Sequence, residues 1–263
     1  MCQVALIITT FLRDELLFET LQNLDKYRPD NSIILVGDQG KFAEQKKKNY
    51  EKVIKDLYYY ELPFDCGLSY ARNFLVSKAS EKQIPYCLMM ADSIRFKRKE
   101  DLSGLYRLLE SQPTLALVSF DESGRKCPWE YKMQLTKQGF VLEYSTEVFT
   151  YEGVEYLVVD LCNNTFLGKT DVLIQRPWDN DLKIAEHEVF FWNLKTSGYK
   201  CLWTNKIQTF HVACQPEDYR VYRARLGKYL SIVREKMGIS GWVIYPKTPY
   251  PKTWKGINPY PSK

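Results

Sequence analysis

The segment from Phe64 to Asp92 limits what this 263-residue chain can fold into more than any other part of it. Gly67 ends a predicted strand, and residues Leu68 to Ser80 then place apolar side chains at helical spacing. A continuous apolar run from Cys87 to Ala91 follows, which is typical of a strand covered on both faces. Asp92 ends that strand. This order of turn, helix, buried strand and acid predicts an open α/β sheet.

Three polar residues of the same segment predict a binding site. Asp92 lies at a strand end, where ligands bind in open α/β sheets, and Arg72 and Asn73 lie on the helix before that strand. A guanidinium suits a phosphate or a pyrimidine carbonyl, and a carboxylate suits a divalent metal ion. The alternative is that Arg72 is an ordinary surface arginine of a helix.

Two motifs of this segment resemble those of a known family. GLSYARN at residues 67–73 and ADS at residues 91–93 are similar to the GLSxARN and DxD motifs of GT-A nucleotide-sugar glycosyltransferases of the family 2 type. The resemblance implies an α/β, GT-A fold: one domain with a mostly parallel central sheet and helices on both faces. The residues that it places in the nucleotide-sugar site are Gly67, Arg72, Asn73 and Asp92. The family usually has two or three acids at the second motif, so the single acid here makes the implied Mn²⁺ or Mg²⁺ cofactor conditional on other ligands.

The first 40 residues agree with this resemblance. They predict a strand from Gln3 to Thr10, a helix from about Arg13 to Asp25 and a strand from Ser32 to Val36 that leads to Gly-Asp. Strand, helix and strand ending in an acid form half of a nucleotide-binding unit. The residues that the resemblance adds to the nucleotide-sugar site are Thr10, Arg13 and Asp38. In that role Asp38 accepts a hydrogen bond from the base; alternatively, it is a turn residue beside a glycine.

Composition and charge narrow the classes of partner. The chain is 45% apolar and 14% aromatic with a net charge of +5, which suits an anionic ligand but does not indicate nucleic acid. The seven cysteines form no CxxC pair and predict reduced thiols. The apolar run at residues 4–12 is too short to span a membrane. We therefore expect a cytoplasmic protein with no nucleic acid partner and at most peripheral membrane association.

The domain organisation is expected to be simple because no linker divides the chain. We predict one GT-A domain at residues 1–237, with a nucleotide-binding half at about 1–120 and an acceptor-binding half at about 121–237. Short alternating segments early in the second half predict hairpins. The segment from Glu217 to Met237 predicts one amphipathic helix with its apolar stripe in the core. Residues 238–263 form a tail rich in Pro, Tyr and Lys that wraps the domain or is partly disordered.

A further motif lies in the segment from Ile184 to Lys200. It resembles the family's E-D-x-D-F segment and the WD-x-x-L-K-x-x-EH-x-x-FF variant of GalNAc-transferase-like and fukutin-related relatives. In inverting members one acid here is the general base, which implies Glu186 as the first choice and Glu188 as the second. Phe190 follows Glu186 by four residues and should point to the core, which draws Glu186 to the inner edge of the cleft and raises its pKa. Glu188 should then face outward or bind acceptor hydroxyls.

Two assignments stay open: the general base beside His187, and the role of His211 as a metal ligand. His187 stands where the family has an aspartate, and without the first motif Glu186 and Glu188 would simply be the charged first turn of a helix. In metal-dependent members a late histidine often completes the metal site, so the resemblance implies Asp92 and His211 as metal ligands. Alternatively, His211 is a packed residue in an apolar context.

Together the motifs imply an inverting glycosyltransferase of the hexosyltransferase type. Its donor would be a nucleoside diphosphate sugar, with UDP the commonest nucleotide in the family, and its acceptor a hydroxyl of a glycan or glycolipid. An alternative is a non-catalytic nucleotide- or carbohydrate-binding protein on the same scaffold, which Ala91 and Ser93 favour. A nucleic-acid binder is disfavoured because RNA-binding and helix-turn-helix motifs are absent from the sequence.

Overall fold

The computed structural model describes residues 3–123, 130–213 and 216–246. The strands are β1 (Val4–Thr10), β2 (Ser32–Asp38), β3 (Leu57–Glu61), β4 (Tyr86–Ala91), β5 (Ile94–Phe96), β6 (Leu115–Ser123), β7 (Tyr131–Thr136), β8 (Gly139–Tyr144), β9 (Val148–Tyr151), β10 (Val154–Val159), β11 (Phe166–Lys169), β12 (Lys200–His211) and β13 (Val243–Ile244). The helices are α1 (Asp14–Tyr27), α2 (Glu44–Val53), α3 (Leu68–Glu81), α4 (Ser103–Glu110), α5 (Thr170–Gln175), α6 (His187–Thr196), α7 (Glu217–Arg223) and α8 (Leu226–Met237).

Ten of the described strands form one mixed sheet in the order β3-β2-β1-β4-β11-β6-β12-β10-β9, with β5 paired to β12. Strands β1 to β4 are mutually parallel, and β6 and β12 continue in the same direction. Strand β11 lies antiparallel between β4 and β6. The strand of the GLSYARN segment pairs directly with the first strand, with Val4 opposite Tyr86. This pairing confirms the prediction that both segments belong to one sheet.

Both faces of the sheet are covered, as the apolar runs predict. Along β1, Val4, Leu6 and Ile8 pack into one core together with residues of α1, α2 and α4. The alternate residues Ala5 and Ile7 pack into the other core with residues of α3, α5, α6 and α8. Because successive strand residues point to opposite faces, a strand buried on both sides must be apolar throughout. The molecule is therefore a mixed α/β domain with helices on both faces of a large sheet.

A small second sheet carries part of the C-terminal tail. Strand β13 pairs in parallel with β8, which pairs in turn with β7 in a hairpin. Gly139 has a φ of +139°, and a Cβ there would lie 2.3 Å from the carbonyl oxygen of Trp242. Phe140 donates its backbone N–H to the same carbonyl at 2.7 Å. The tail thus packs on the domain as far as it is described, and residues 247–263 lie outside the described residues.

The C-terminal helical segment differs from its prediction. The chain turns at Ala224 and Arg225, so that α7 and α8 replace the single expected helix. No residue of α7 is buried, and Leu226 at the start of α8 is 43% exposed. Only the later part of the stripe, with Val233, reaches the core. The prediction of one continuous core stripe was therefore wrong for α7.

Two further expectations concern cysteines and membranes. The four cysteines in the described ranges are free thiols, Cys66, Cys87, Cys162 and Cys201. Within those same ranges, every helix is too short or too polar to cross a membrane.

Candidate active site

A cavity of about 310 Å³ opens at the carboxyl ends of β1 and β4. Ile7 of β1 and Met89, Met90 and Ala91 of β4 form its apolar side. Its main polar wall residues are Arg13, Arg72, Arg223, Ser93, Asn164 and His211. Three guanidinium groups at the ends of parallel strands provide positive charge where α/β sheets bind their ligands. The cavity is therefore suited to an anionic ligand.

Asp92 is fully buried and does not line this cavity. Its Oδ1 forms an ion pair with Arg13, and its Oδ2 accepts a hydrogen bond from the Thr10 hydroxyl at 2.8 Å. Its main-chain carbonyl accepts a hydrogen bond from Thr20 Oγ1 at 2.5 Å. Burial raises the pKa of Asp92 to about 6, although Arg13 and Thr10 both favour the charged form. In this arrangement Thr10 holds Asp92, and Asp92 holds Arg13 at the cavity wall. The nucleotide-sugar contacts expected of Asp92 and Thr10 stay predictions.

Arg72 and Glu186 form the second buried ion pair beside the cavity. Arg72 Nη1 lies 2.6 Å from Glu186 Oε1, and Glu186 is only 4% exposed. The guanidinium of Arg72 also lies 5.4 Å from the ring centroid of Trp178. Trp178 in turn stacks on Phe190 at 4.1 Å with nearly parallel rings. Arg72 thus lines the cavity, and Glu186 is connected to the cavity through its ion pair with Arg72.

Glu188 is buried as well, which corrects the expectation that it faces outward. It is 6% exposed and lies in the first turn of α6. Burial raises the pKa of Glu188 to about 7, and the nearby charge of Glu186 adds to the shift. A carboxyl group that titrates near neutral pH can accept a proton under physiological conditions. Glu188, the second choice from the sequence, is therefore a candidate general base.

The two sequence motifs are joined by direct contacts. Gly67 has a φ of +96°, and a Cβ at this position would lie 2.5 Å from Lys183 Cα. Leu68 donates its backbone N–H to the carbonyl of Lys183 at 2.9 Å, and Ser69 Oγ donates to the carbonyl of Leu182 at 2.7 Å. Only glycine combines this backbone conformation with so close an approach. The turn at Gly67 thus holds the segment before α6 against the start of α3.

Asn73 belongs to the same connection. Its Nδ2 donates to the carbonyl of Trp178 and to Asn180 Oδ1, both at 2.8 Å. Its Oδ1 accepts the backbone N–H of Trp178 at 3.0 Å. With its amide used in this way, Asn73 positions the Trp178 loop and does not line the cavity. Its nucleotide-sugar contact stays a prediction.

Asp38 is likewise occupied by contacts within the protein. Its Oδ1 accepts the backbone N–H of Gly40 at 2.8 Å, and its Oδ2 accepts the Tyr59 hydroxyl at 2.5 Å. Lys46 forms an ion pair with the same Oδ2. Asp38 is 2% exposed, and it does not line the cavity at the ends of β1 and β4. The geometry therefore favours the turn interpretation of Asp38 over the hydrogen bond to a base.

His211 and Ser93 meet at the cavity wall through strand pairing. His211 is the last residue of β12 and pairs with Ile94 of β5, and Val212 donates its N–H to the carbonyl of Ser93 at 2.9 Å. His211 therefore lies on the strand next to the segment that follows Asp92. The Asp92 carboxylate, however, binds Arg13 and Thr10. No group of three or more potential metal-ligating side chains occurs among the residues that the structure describes. The donor set therefore does not fit a divalent metal site.

The sequence analysis missed three residues of the wall. Arg223 and Tyr219 come from α7, where the apolar stripe that includes Tyr219 was expected in the core. The Arg13 guanidinium lies 4.6 Å from the Tyr219 ring centroid. Asn164 precedes β11, and its buried Oδ1 has no hydrogen-bond partner among the described residues. The only signal in the sequence was the polar pair Asn163-Asn164 before a buried strand.

A second cavity of about 40 Å³ adjoins the first and shares Leu68, Tyr219 and Arg223 with it. Phe11, Gly67 and Tyr222 also line it. The rings of Phe11 and Tyr222 meet edge to face with centroids 4.8 Å apart. Gly67 therefore does lie at a cavity wall, in an aromatic surrounding that suits a planar ring.

Comparison with known proteins supports this architecture. No family model matches the chain. Mannosyltransferase PcManGT from Pyrobaculum calidifontis, solved with GDP-Man and Mn²⁺, superimposes with a TM-score of 0.58 at 17% identity, covering 89% of this chain and 63% of that one. TarS 1–349 from S. aureus, solved with UDP, gives a TM-score of 0.54 at 15% identity, covering 90% and 69%. The chain has the GT-A glycosyltransferase fold.

A relative by sequence agrees with the GT-A assignment. Beta-1,4 N-acetylgalactosaminyltransferase 2 of Mus musculus is 28% identical over 192 residues, which is 72% of this chain. The match covers 35% of the mouse protein, so the chain spans about a third of that relative's length. The similarity to the two solved structures confirms the predicted fold class.

Proposed function

We propose that the chain transfers a hexosyl group from a nucleoside diphosphate sugar to a hydroxyl group, with inversion at the anomeric carbon. The observation that carries the proposal is the cavity at the ends of β1 and β4, which has three arginines on its wall, one of them paired with the buried Glu186. The GT-A neighbours that bind UDP and GDP-Man support this class of donor.

The donor would lie across both cavities. The aromatic cavity beside Phe11 and Gly67 suits the base, because flat aromatic side chains stack on planar rings. The larger cavity then takes the diphosphate and the sugar, next to Arg72 and Arg223. We propose UDP as the nucleotide because the TarS neighbour binds it. A glycan or glycolipid hydroxyl would approach from the side of Asn164, whose side-chain oxygen can accept its hydrogen bond.

The general base in this proposal is Glu188, with Glu186 as a positioning residue. Glu188 takes the proton of the acceptor hydroxyl as the oxygen forms its bond to the anomeric carbon. On the opposite face the bond from that carbon to the diphosphate oxygen breaks, and the diphosphate leaves with the electron pair. Arginines at the wall stabilise the charge that develops on it. Glu186 holds Arg72 in place through its ion pair.

A nucleotide-release assay tests the proposal. The full chain is incubated with UDP-, GDP-, dTDP- and CMP-activated sugars, and release of the nucleotide is measured with and without simple glycan acceptors. We expect release from one nucleotide class that rises when an acceptor is added. If no nucleotide binds at millimolar concentration, the transferase function is rejected.

A binding protein without activity is the second candidate. It is favoured by the sequence Ala91-Asp92-Ser93, in which the only carboxylate is buried in an ion pair. This candidate predicts nucleotide binding in calorimetry but no acceptor-dependent release with any donor. Calorimetry with the nucleotides, together with the nucleotide-release assay, therefore distinguishes the two functions.

A further inference from the structure

We infer that the diphosphate of the donor is neutralised by the side chains of Arg13, Arg72 and Arg223, without a divalent metal. The inference deepens the proposed function and rests on it for the identity of the ligand. Three observations support it. They are the contacts of the Asp92 carboxylate, the lack of acids among the described residues of the cavity wall, and the ion pairs and hydrogen bonds of the guanidinium groups.

Asp92 is the only acid of the ADS motif, and its carboxylate is already committed. Arg13 holds one oxygen and the Thr10 hydroxyl holds the other, with the whole side chain shielded from solvent. Recruiting it to a metal would break a buried ion pair and leave Arg13 and Thr10 without partners, which is costly. The carboxylate is also absent from the cavity wall. Asp92 is therefore built to hold an arginine.

The remaining groups at this edge are poor ligands for a hard cation. Ser93 stands where a metal-binding acid of the motif would stand, and it offers a neutral hydroxyl. His211 is beside it, which gives one hydroxyl and one imidazole. Mg²⁺ and Mn²⁺ prefer carboxylate oxygens in an octahedral set. Two neutral side chains do not supply that charge.

The arginines supply positive charge and hydrogen-bond donors in a suitable form, although Asp92 and Glu186 offset part of the charge of Arg13 and Arg72. Arg13 and Arg72 are each held by a buried acid, and the Nε of Arg13 is buried with no hydrogen-bond partner among the described residues. Arg223 forms no ion pair within the described ranges and stands on the same cavity wall. A guanidinium presents several donors in a plane and binds phosphate oxygens in pairs. Three of them around one cavity form a site for two linked phosphates.

The test is calorimetry on the full chain with inorganic pyrophosphate and with UDP, each in EDTA and in Mn²⁺. We expect both probes to bind in EDTA and their affinity to change by less than about twofold in Mn²⁺. Arg223→Gln should weaken both about tenfold, the usual loss for a charge-assisted hydrogen bond. The matched control is Arg220→Gln, which removes an exposed arginine from the same helix outside the cavity and should leave both affinities unchanged.

Each outcome decides one of the two proposals. An affinity at least tenfold higher in Mn²⁺, or an Arg223→Gln effect no larger than that of Arg220→Gln, overturns the arginine site. Failure of pyrophosphate to bind in EDTA overturns it too, even if sugar transfer proceeds with Mn²⁺. Metal-independent binding of pyrophosphate without any UDP binding or transfer supports the arginine site and rejects the proposed function. Thermal melting of both variants confirms that they fold.

Discussion

Two buried arginine–acid pairs flank one cavity, and they differ in what surrounds the acid. In the Arg13–Asp92 pair both carboxylate oxygens have protein partners, and the acid ends a central strand. In the Arg72–Glu186 pair the acid stands at the start of α6, with a second buried acid, Glu188, two residues further on. The same chemical pair therefore has an acid with two protein partners in one case and an acid followed by a second buried carboxyl group in the other.

Removing each acid should separate the two pairs most clearly. We expect Asp92→Ala to lower the free energy of unfolding by about 4 kcal/mol, because it leaves Arg13 and the buried Thr10 hydroxyl without partners. Glu186→Ala should cost roughly half as much, since it leaves only the Arg72 guanidinium, which can take up water from the cavity. Urea denaturation of both variants measures this, with Asp30→Ala as the exposed-acid control. Equal losses would mean that the two pairs are equivalent.

The pH dependence of stability should reveal the second acid on the α6 side. The folded-state pKa of Glu188 is raised to about 7 from an ordinary 4.5, so folding favours its neutral form. Its stabilising contribution is present below pH 4.5 and is lost as the pH rises through 7. Glu188→Gln stays neutral and should gain stability over the parent chain by at most about 3 kcal/mol between pH 5 and pH 8. Denaturation curves at several pH values measure this difference, and parallel curves for both proteins would contradict it.

Activity should depend on the α6 side in a distinctive way. Glu188→Gln should reduce sugar transfer by about two orders of magnitude or more, on the usual scale of general base catalysis, while nucleotide affinity stays within twofold. The parent rate should fall below about pH 7 as Glu188 takes up a proton. Acceptor-dependent nucleotide release as a function of pH measures both. A fully active Glu188→Gln enzyme would assign the base elsewhere.

The smallest expected effect is that of Glu186→Gln on pyrophosphate binding. It shows whether the charge of Arg72 or its orientation matters more for binding the anion. Glu186→Gln removes a negative charge next to Arg72 but keeps the size of the side chain. We expect pyrophosphate to bind several-fold more tightly, because the cavity gains net positive charge. Transfer should fall at the same time, since Arg72 loses the partner that fixes its position. Weaker pyrophosphate binding would show that orientation of Arg72 outweighs its charge.

The strands and helices around the cavity follow from local patterns in the sequence. Strands β1 and β4 could be predicted from their continuous apolar runs, because both faces of the sheet are buried. Helix α3 could be predicted from apolar residues at helical spacing. The α7 segment shows the limit of this reasoning. Tyr219 and Tyr222 follow the same period as a core stripe, yet they cover Arg13 and Phe11 at the cavity. A periodic stripe predicts that one face is covered and does not identify what covers it.

The partners of polar residues could not be predicted in this way. Arg72 and Glu186 are 114 positions apart, and Asn73 and Trp178 are 105 apart, so no local pattern connects them. Motif membership placed Asn73 and Asp92 near the site but could not tell a ligand contact from a contact that positions a neighbour. Glu188 shows the same limit, because its burial depends on how α6 docks against the sheet.

The position of β11 has a consequence for the way the chain is made. This strand comes from residues 166–169 but lies between β4 and β6, whose residues end at positions 91 and 123. The centre of the sheet therefore stays open until the chain has been synthesised as far as Lys169. Contacts of such long sequence separation form slowly and late. Until β11 is in place, the apolar strands β4 and β6 should therefore remain exposed on the ribosome. A nascent chain of this design depends on rapid completion or on chaperones to avoid aggregation.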